Sequence, residues 1–161
     1  MTDYLRRGSV HGPYRRFLFL LHLTEDIVKL TAIRENHLYR KAYQGGRRAA
    51  AKAVCVYVLR DRKSHVLKKA HPEKKFVNRV GIAASKKIGG AVERNRAKRV
   101  IREAYRQIDG SIGIKKGNLV VIAAREAATV YKMQDVMRDL QYCLRKLDLL
   151  ECPEGQNDKN A

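Results

Sequence analysis

The densest cluster of positive side chains in the sequence lies between residues 86 and 106, which read KKIGGAVERNRAKRVIREAYR. Nothing after Ala91 in this stretch breaks a helix, and the flexible pair Gly89-Gly90 stands just before it. With helical spacing of about 100° per residue, the apolar side chains fall on one side: Ala97, Val100, Ile101, Ala104, Tyr105 and Ile108. Another side collects basic and amide groups: Arg94, Asn95, Lys98, Arg99, Arg102 and Arg106, with Arg96 displaced to a flank. The pattern predicts an amphipathic helix that buries one stripe and exposes a positive strip.

A strip of like charges of this kind is suited to holding phosphate groups. Positive side chains three and four residues apart repel one another within an isolated helix, and a polyanion lying along the strip relieves that repulsion. Arginine dominates the strip, and its planar guanidinium suits phosphate better than an ammonium does. The competing interpretation is a solvated face that only keeps the protein in solution, but the arginine content favours nucleic acid.

The composition of the whole chain agrees with a nucleic-acid partner. Its 161 residues include 35 Lys and Arg against 16 Asp and Glu, a formal net charge of +19 at pH 7, which favours association with a polyanion. The length predicts one domain with tails, and no segment reaches the roughly 20 apolar residues that span a bilayer. Cys55, Cys143 and Cys152 have no CxxC spacing and are predicted to be reduced thiols of a cytoplasmic protein. His65 and His71 lack the neighbours that a metal site needs.

The stretch around the predicted helix resembles the protein subunit of bacterial ribonuclease P. The residues that carry the resemblance form short groups: 79–81 (RVG), 85–89 (SKKIG), 91–92 (AV), 94–96 (RNR), 98–99 (KR), 101–102 (IR) and Ala104. A looser similarity extends from about residue 30 to about residue 149, which is most of the chain. Because the match keeps its spacing over many positions, it is far more specific than a short motif.

The resemblance implies an α+β fold, a single small α/β sandwich in which helices pack on a central, mostly four-stranded sheet. The element order would be α-β-β-β-α-β-α, as in domain 2 of ribosomal protein S5, with a left-handed βαβ crossover in place of the usual right-handed one. An RNA-binding domain would occupy residues 28–150, between an unmatched extension at 1–27 and a disordered tail at 151–161. We expect the extension to be either disordered or untranslated, with translation starting at Val28.

Hydrophobic patterns outline several of these elements. They predict strands at 50–59, 78–84 and 118–124, and a last helix at 129–148. In the first strand, alternation places Val54, Val56 and Val58 on one sheet face and Cys55 and Tyr57 on the other. The near-continuous apolar run of the third strand is typical of a central strand that is buried on both faces. The basic connection that follows the first strand leaves one further strand of the sheet unplaced.

A short predicted helix at residues 34–43, ended by Gly45-Gly46, carries two tyrosines. Tyr39 and Tyr43 are four positions apart and therefore share one face. The resemblance implies that aromatic side chains at these positions line a cleft beside the sheet, with Lys52 facing the same cleft. There they would grip the single-stranded 5′ leader of precursor tRNA. The alternative is that one or both tyrosines pack in the core.

The resemblance also implies a function, that of a ribonucleoprotein endonuclease whose RNA subunit removes the 5′ leader of precursor tRNA. Catalysis would belong to that RNA and to the Mg²⁺ that it binds, and the protein alone would hold no cofactor. The partners would be the catalytic RNA and precursor tRNA, with no membrane and no DNA. The RNA-binding residues would be Lys86, Lys87, Arg94, Asn95, Arg96, Lys98, Arg99, Arg102 and Arg106.

The acidic residues do not suggest a nuclease site within the protein itself. Hydrolysis needs a carboxylate metal cage or an acid–base pair, whereas Glu93 and Glu103 stand among Lys and Arg. Asp135 and Asp139 share a helix face, which a solvated surface explains. No catalytic residue and no metal ligand is therefore predicted. A ribosomal or other structural RNA-binding protein is the alternative, whereas a DNA-binding regulator is disfavoured because no second helix has helix-turn-helix spacing.

Overall fold

One five-stranded β-sheet forms the centre of the molecule, with helices on both of its faces. The computed structural model describes residues 30–63 and 78–151. The strands are β1 (Thr31–Ala32), β2 (Arg47–Ala50), β3 (Val54–Arg60), β4 (Arg79–Ala83) and β5 (Asn118–Ala124). The helices are α1 (Asn36–Gly45), α2 (Ala91–Ser111), α3 (Ala127–Val130) and α4 (Met133–Lys146), and a 3-10 turn covers Lys86–Ile88. The predicted α+β fold is confirmed.

Some of the expectations fall on parts of the chain outside the described residues. These are the extension at 1–27, the tail at 152–161 with Cys152, and the two histidines of the basic connection, His65 and His71. Among the helices of the described residues, none is long and apolar enough to cross a membrane.

Strand β5 lies at the centre of the sheet, whose strand order is β1-β4-β5-β3-β2. It pairs in parallel with β4 and in antiparallel fashion with β3. Four consecutive residues of β5, from Leu119 to Ile122, are buried, which confirms the predicted central strand. The two-residue edge strand β1 pairs in parallel with β4 and was not predicted. The sheet is therefore four-stranded apart from this short edge.

Strand β2 precedes β3 and was not predicted, whereas the further strand expected in the basic connection falls mostly on residues outside the described ones. The prediction of one strand over residues 50–59 is wrong at its start, because Ala50 ends β2 and a turn follows before β3 begins at Val54. Only Ala49 among the four residues of β2 is buried. A short edge strand with the sequence RRAA lacks the apolar alternation from which a strand is predicted.

Helices α2 and α4 cover one face of the sheet and enclose the main core. The predicted stripe of α2 is confirmed, with these side chains buried: Ala97, Ile101, Ala104, Tyr105 and Ile108. Val100 is partly buried against the same core. From β3, the predicted inward set of Val54, Val56 and Val58 also packs there. Helix α2 is thus braced along its length, with its polar side left outward.

The single helix predicted at residues 129–148 is wrong at its start, because the separate helix α3 ends at Val130 and α4 begins only at Met133. Tyr131 and Lys132 separate them in extended backbone conformation. Tyr131 packs partly buried against the main core, so tertiary packing overrides local helix propensity at this point. The predicted apolar stripe is retained in α4, where Val136, Leu140 and Leu144 are buried.

The order of the longer elements agrees with the expected one. Without β1 and α3, the elements of residues 30–63 and 78–151 read α-β-β-β-α-β-α. Strands β4 and β5 are parallel neighbours joined through α2. The left hand of that crossover and the likeness to domain 2 of ribosomal protein S5 stay predictions.

Candidate nucleic-acid interface

The nine predicted RNA-binding residues lie on the surface of α2 and on the turn before it, and we use the name positive strip for all nine. Its exposed members are Lys86, Lys87, Asn95, Arg96, Arg99 and Arg102. Its half-buried members are Arg94, Lys98 and Arg106. The fold therefore brings all nine predicted RNA-binding residues together on one continuous segment, beside the buried stripe that anchors it.

Main-chain contacts fix two of the arginines in this strip. Arg94 donates from Nη1 to the Gly89 carbonyl oxygen at 3.0 Å. Gly89 has a φ of +141°, a conformation that favours glycine. Arg96 donates to the Thr129 carbonyl oxygen in α3, which confirms the flank position predicted for it. These contacts hold both guanidinium groups in place before any ligand arrives, so less side-chain entropy remains to be lost on binding.

The two predicted cleft tyrosines stand on the opposite face of the sheet, which α1 partly covers. Tyr39 lies over Gly81, where a Cβ atom would come within 2.6 Å of three atoms of the tyrosine side chain. Tyr43 meets Tyr57 edge to face, with ring centroids 4.9 Å apart and planes at 90°. Gly81, Val121 and Tyr57 form one cross-strand row in register. The helix therefore sets its two tyrosines along a single row of the sheet.

Tyr57 is a site residue that the sequence analysis missed. Alternation placed Tyr57 on the correct sheet face. Its contact with Tyr43 depends on where α1 packs on the sheet, which the sequence does not reveal. Burial raises the pKa of Tyr39, and burial together with the neighbouring Tyr39 and Cys55 raises the pKa of Tyr43. Both rings therefore stay neutral at physiological pH, with aromatic surface left for stacking.

Beside the tyrosines the same face carries a row of small side chains. Two residues along from Gly81, Val121 and Tyr57, the strands present Ala83, Ala123 and Cys55 in register, and β2 adds Ala50. We call these four residues the small-residue row. They are only partly buried or exposed, since α1 does not extend over them. The row forms a shallow floor next to an aromatic wall.

A groove of about 590 Å³ lies over the part of this row nearest to β2. It is lined by Arg48, Ala49, Ala50, Cys55, Tyr57, Ala123, Arg125 and Lys146. Three of these side chains are basic and none is acidic. An aromatic ring, a flat floor and a basic rim are the features with which proteins hold single-stranded nucleic acid.

Lys52, the third predicted cleft residue, is exposed in the turn between β2 and β3. It does not line the groove itself. Its turn is fastened to the groove, however, because Arg125 donates from Nη1 to the Ala51 carbonyl oxygen at 2.7 Å. Asp139, interpreted above as part of a solvated helix face, also reaches this turn and accepts a hydrogen bond from the Ala53 N–H at 2.7 Å. That interpretation of Asp139 is wrong.

The positive strip and the groove lie on opposite faces of the sheet but meet at one end of it. Parallel strands β4 and β5 finish at the same edge. From there β4 leads into the turn with Lys86 and Lys87, and β5 leads into Arg125. One edge of the sheet therefore carries positive groups that link the two surfaces.

The far end of the α1 face is closed by a buried ion pair. Arg79 donates from Nε to Asp61 Oδ2 at 2.6 Å and from Nη2 to Asp61 Oδ1 at 2.8 Å. Burial alone would raise the pKa of Asp61, but hydrogen bonds from Arg79 and from the Lys63 N–H outweigh it, so the pKa lies below its ordinary value. The face is open at the groove, whereas at the opposite end the Asp61–Arg79 ion pair joins the end of β3 to β4.

Within residues 30–63 and 78–151, no group of three or more His, Cys, Asp or Glu side chains is placed to hold a metal ion. Of the two cysteines in this part of the chain, Cys143 is buried in α4. Burial raises the pKa of its thiol to about 11. Cys55 is half-buried and faces the groove.

Comparison with known proteins identifies similar sequences. The family model of ribonuclease P matches residues 28–148. The chain is 33% identical over 123 residues to the ribonuclease P protein component of Clostridium acetobutylicum, covering 76% of this chain and 93% of that protein. It is 43% identical over 93 residues to that of Dehalococcoides mccartyi, covering 58% of this chain and 74% of that protein.

Solved structures show the same similarity. The RNase P protein of Staphylococcus aureus superposes with a TM-score of 0.58 at 25% sequence identity, covering 76% of this chain and all of that one. The RNase P protein of Thermotoga maritima superposes with a TM-score of 0.54 at 21% identity, covering 69% of this chain and 92% of that one. At 21% identity, the similarity to the Thermotoga maritima protein supports the fold alone.

Proposed function

This chain belongs to the ribonuclease P protein family, and we propose that it binds the catalytic RNA on one face and the 5′ leader of precursor tRNA on the other. The resemblance predicted from its sequence is confirmed. As a member of the family it is the protein component of ribonuclease P, which acts in processing the 5′ end of tRNA. The observation that carries the finer proposal is the placement of the positive strip and the groove on opposite faces that share one edge.

The positive strip on α2 takes the catalytic RNA. Its side chains neutralise phosphates: Lys86, Lys87, Arg94, Arg96, Lys98, Arg99, Arg102 and Arg106, while Asn95 offers a directed hydrogen bond. Six to ten phosphate contacts make affinity fall by about 10³–10⁵ between 50 and 200 mM salt. This contribution is large but insensitive to nucleotide sequence, as suits a surface that grips a folded RNA by its backbone.

The groove beside α1 takes the leader. Tyr39 and Tyr43 supply aromatic surface beside the groove, Tyr57 continues that surface into the groove lining, and Lys52 stands in the adjoining turn. Stacking of a base on an aromatic side chain contributes roughly 1–3 kcal/mol. That is enough to position a short single strand over the row and too little to read a long sequence.

The hydrolysis itself belongs to the RNA subunit and to its Mg²⁺. What supports this assignment is that four aspartates of the described residues form ion pairs with cations of the protein itself. The pairs are Asp61–Arg79, Asp109–Lys116, Asp135–Arg138 and Asp148–Lys115. A carboxylate held by a neighbouring cation is a poor general base and a poor metal ligand. The ribonucleoprotein acts in the cytoplasm, where precursor tRNA is available.

Reconstitution with the cognate catalytic RNA tests this function. At low Mg²⁺ concentration, we expect the protein to raise the cleavage rate of precursor tRNA and to favour precursor over mature tRNA in binding. The protein without RNA should leave precursor tRNA intact. Equal cleavage by the RNA with and without the protein would contradict the proposal, and co-purification with ribosomal RNA instead would favour the ribosomal alternative.

A further inference from the structure

The turn that carries Lys52 is held by side chains from two other elements. The Ala51 N–H donates to the Val54 carbonyl oxygen at 2.8 Å and closes the turn. Arg125, just after β5, donates from its side chain to the Ala51 carbonyl oxygen at 2.7 Å and from its backbone to the Ala53 carbonyl oxygen at 2.9 Å. Asp139 of α4 accepts the Ala53 N–H at 2.7 Å. The residues on both sides of Lys52 are thus fixed from outside the hairpin.

The contact made by Asp139 cannot be replaced by solvent. Ala53 is fully buried, so its N–H has no access to water, and an unpaired buried donor is costly. An ionised carboxylate makes one of the stronger acceptors for such a donor. The contact joins α4 to the hairpin across 86 positions of sequence, which makes Asp139 the link between the α4 layer and this turn.

The negative charge of Asp139 should by itself weaken RNA binding, so its electrostatic effect and its hydrogen bond predict opposite results on removal. The groove beside the turn is lined by Arg48, Arg125 and Lys146. A carboxylate close to such a surface lowers its positive potential and weakens attraction to phosphate. If charge were all that mattered here, removing Asp139 would tighten the binding of every RNA.

We propose that Asp139 is a positioning residue for leader binding: its hydrogen bond to the Ala53 N–H holds Lys52 at the groove rim, where the ammonium group contacts a leader phosphate. This inference rests on the proposed function. Asp139 itself does not touch the leader. Arg125, just after β5, assists from the other side of the turn, so two side chains of opposite charge set one lysine in place.

The test measures the affinity of the reconstituted ribonucleoprotein for precursor tRNA and for mature tRNA. We expect Asp139→Ala to lower the ratio of precursor to mature affinity roughly three- to tenfold, the range of a lost hydrogen bond. Asp139→Asn keeps an oxygen acceptor and should stay within about twofold of wild type. Asp139→Glu keeps the charge but misplaces the acceptor, so the ratio should fall, and this variant carries the test if Asp139→Ala does not fold.

Asp135→Ala is the matched control, since it removes the same charge one turn earlier on α4, where Asp135 pairs with Arg138. It should leave the ratio unchanged. In a Lys52→Ala background, which itself lowers the ratio, Asp139→Ala should add no further loss, because coupled residues are not additive.

Three results would overturn the inference while leaving the proposed function intact: tighter binding of both tRNAs by Asp139→Ala and Asp139→Asn alike, an unchanged ratio in Asp139→Ala and Asp139→Glu, or a full additional loss in the Lys52→Ala background. A wild-type ribonucleoprotein that did not distinguish precursor from mature tRNA would overturn the proposed function as well.

Discussion

The two faces of the sheet are built in different ways. Under α2 and α4, 23 buried residues form one continuous core, so helices pack over this face and present their outer sides to solvent. Under α1, five buried residues form a small cluster, and the small-residue row beside it is left open. The comparison indicates that one face supplies a rigid support for charge and the other a partly covered floor for a ligand.

This difference sets what each surface can recognise. A braced helix with a positive strip attracts phosphates by a field that does not depend on nucleotide sequence. A groove with an aromatic wall and a flat floor takes an unpaired strand by stacking, which positions a short segment. The shared edge, with Lys86, Lys87 and Arg125, lets one RNA assembly contact both surfaces.

The largest expected effect concerns the stability of the α1 face. Asp61→Ala leaves the buried Arg79 guanidinium without its partner, and breaking a buried ion pair in this way costs about 3–5 kcal/mol. Urea unfolding should show that loss in the free energy of unfolding. Asp148→Ala, which removes an exposed partner of Lys115, should change stability little. A small change in the free energy of unfolding for both variants would mean that the Asp61–Arg79 ion pair does not stabilise the α1 face.

The same ion pair predicts a pH dependence. Because the pKa of Asp61 is lowered in the folded protein, the unfolded chain takes up the proton first as pH falls. The stabilisation is present above the unfolded pKa of about 3.9 and is lost as pH falls through the lower folded value. The difference in unfolding free energy between wild type and Asp61→Asn should therefore shrink below about pH 4. A difference that stayed constant down to pH 2 would contradict this.

The tyrosines test whether the groove face has a function distinct from packing. Replacing Tyr39 and Tyr43 with Ala should weaken binding of leader-bearing tRNA by roughly 1–3 kcal/mol per stacked base, without the same loss for mature tRNA. Tyr142→Ala is the control, since its ring is exposed on α4. Equal losses for both tRNAs would identify Tyr39 and Tyr43 as core residues and would remove the distinction between the faces.

Replacing arginines of α2 should cause the smallest loss of affinity at any one salt concentration, because many side chains share the positive charge. Replacing Arg99 and Arg102 with Ala should reduce the salt dependence of binding to the catalytic RNA, by about 0.7–0.9 in logarithmic slope for each phosphate that is no longer neutralised. Replacing Arg138 and Arg145, which are exposed on α4, removes the same charge and should leave the slope nearly unchanged. Equal slopes for both double variants would mean that net charge alone governs binding.

The sequence predicted elements correctly where apolar residues repeat with the helical period of 3.6 or the strand period of 2. The buried stripe of α2 and the alternation of Val54, Val56 and Val58 were correct for this reason, as was the central strand β5. Strand β2 was missed because four residues of Arg and Ala carry no period. The break between α3 and α4 arises from packing of Tyr131 and leaves no local signal.

The candidate site was predicted only in part for a related reason. The positive strip is visible in one continuous segment, whereas the groove is assembled from residues of three different strands and α4. Tyr57 gains its contact with Tyr43 from the position of α1 on the sheet. Asp139 meets Ala53 across 86 positions, and its neighbours in sequence indicate only a solvated helix.

Crosslinking from each face tests the division between the two surfaces most directly. A short photoreactive probe on Cys55, with Cys152 replaced by Ser and Cys143 buried in α4, reports from the groove. A matched probe on Arg99→Cys, in a background with Cys55 also replaced by Ser, reports from α2. In the reconstituted ribonucleoprotein with bound precursor tRNA, we expect the groove probe to crosslink to the 5′ leader and the α2 probe to the catalytic RNA. Crosslinks from both probes to the same RNA would contradict the account.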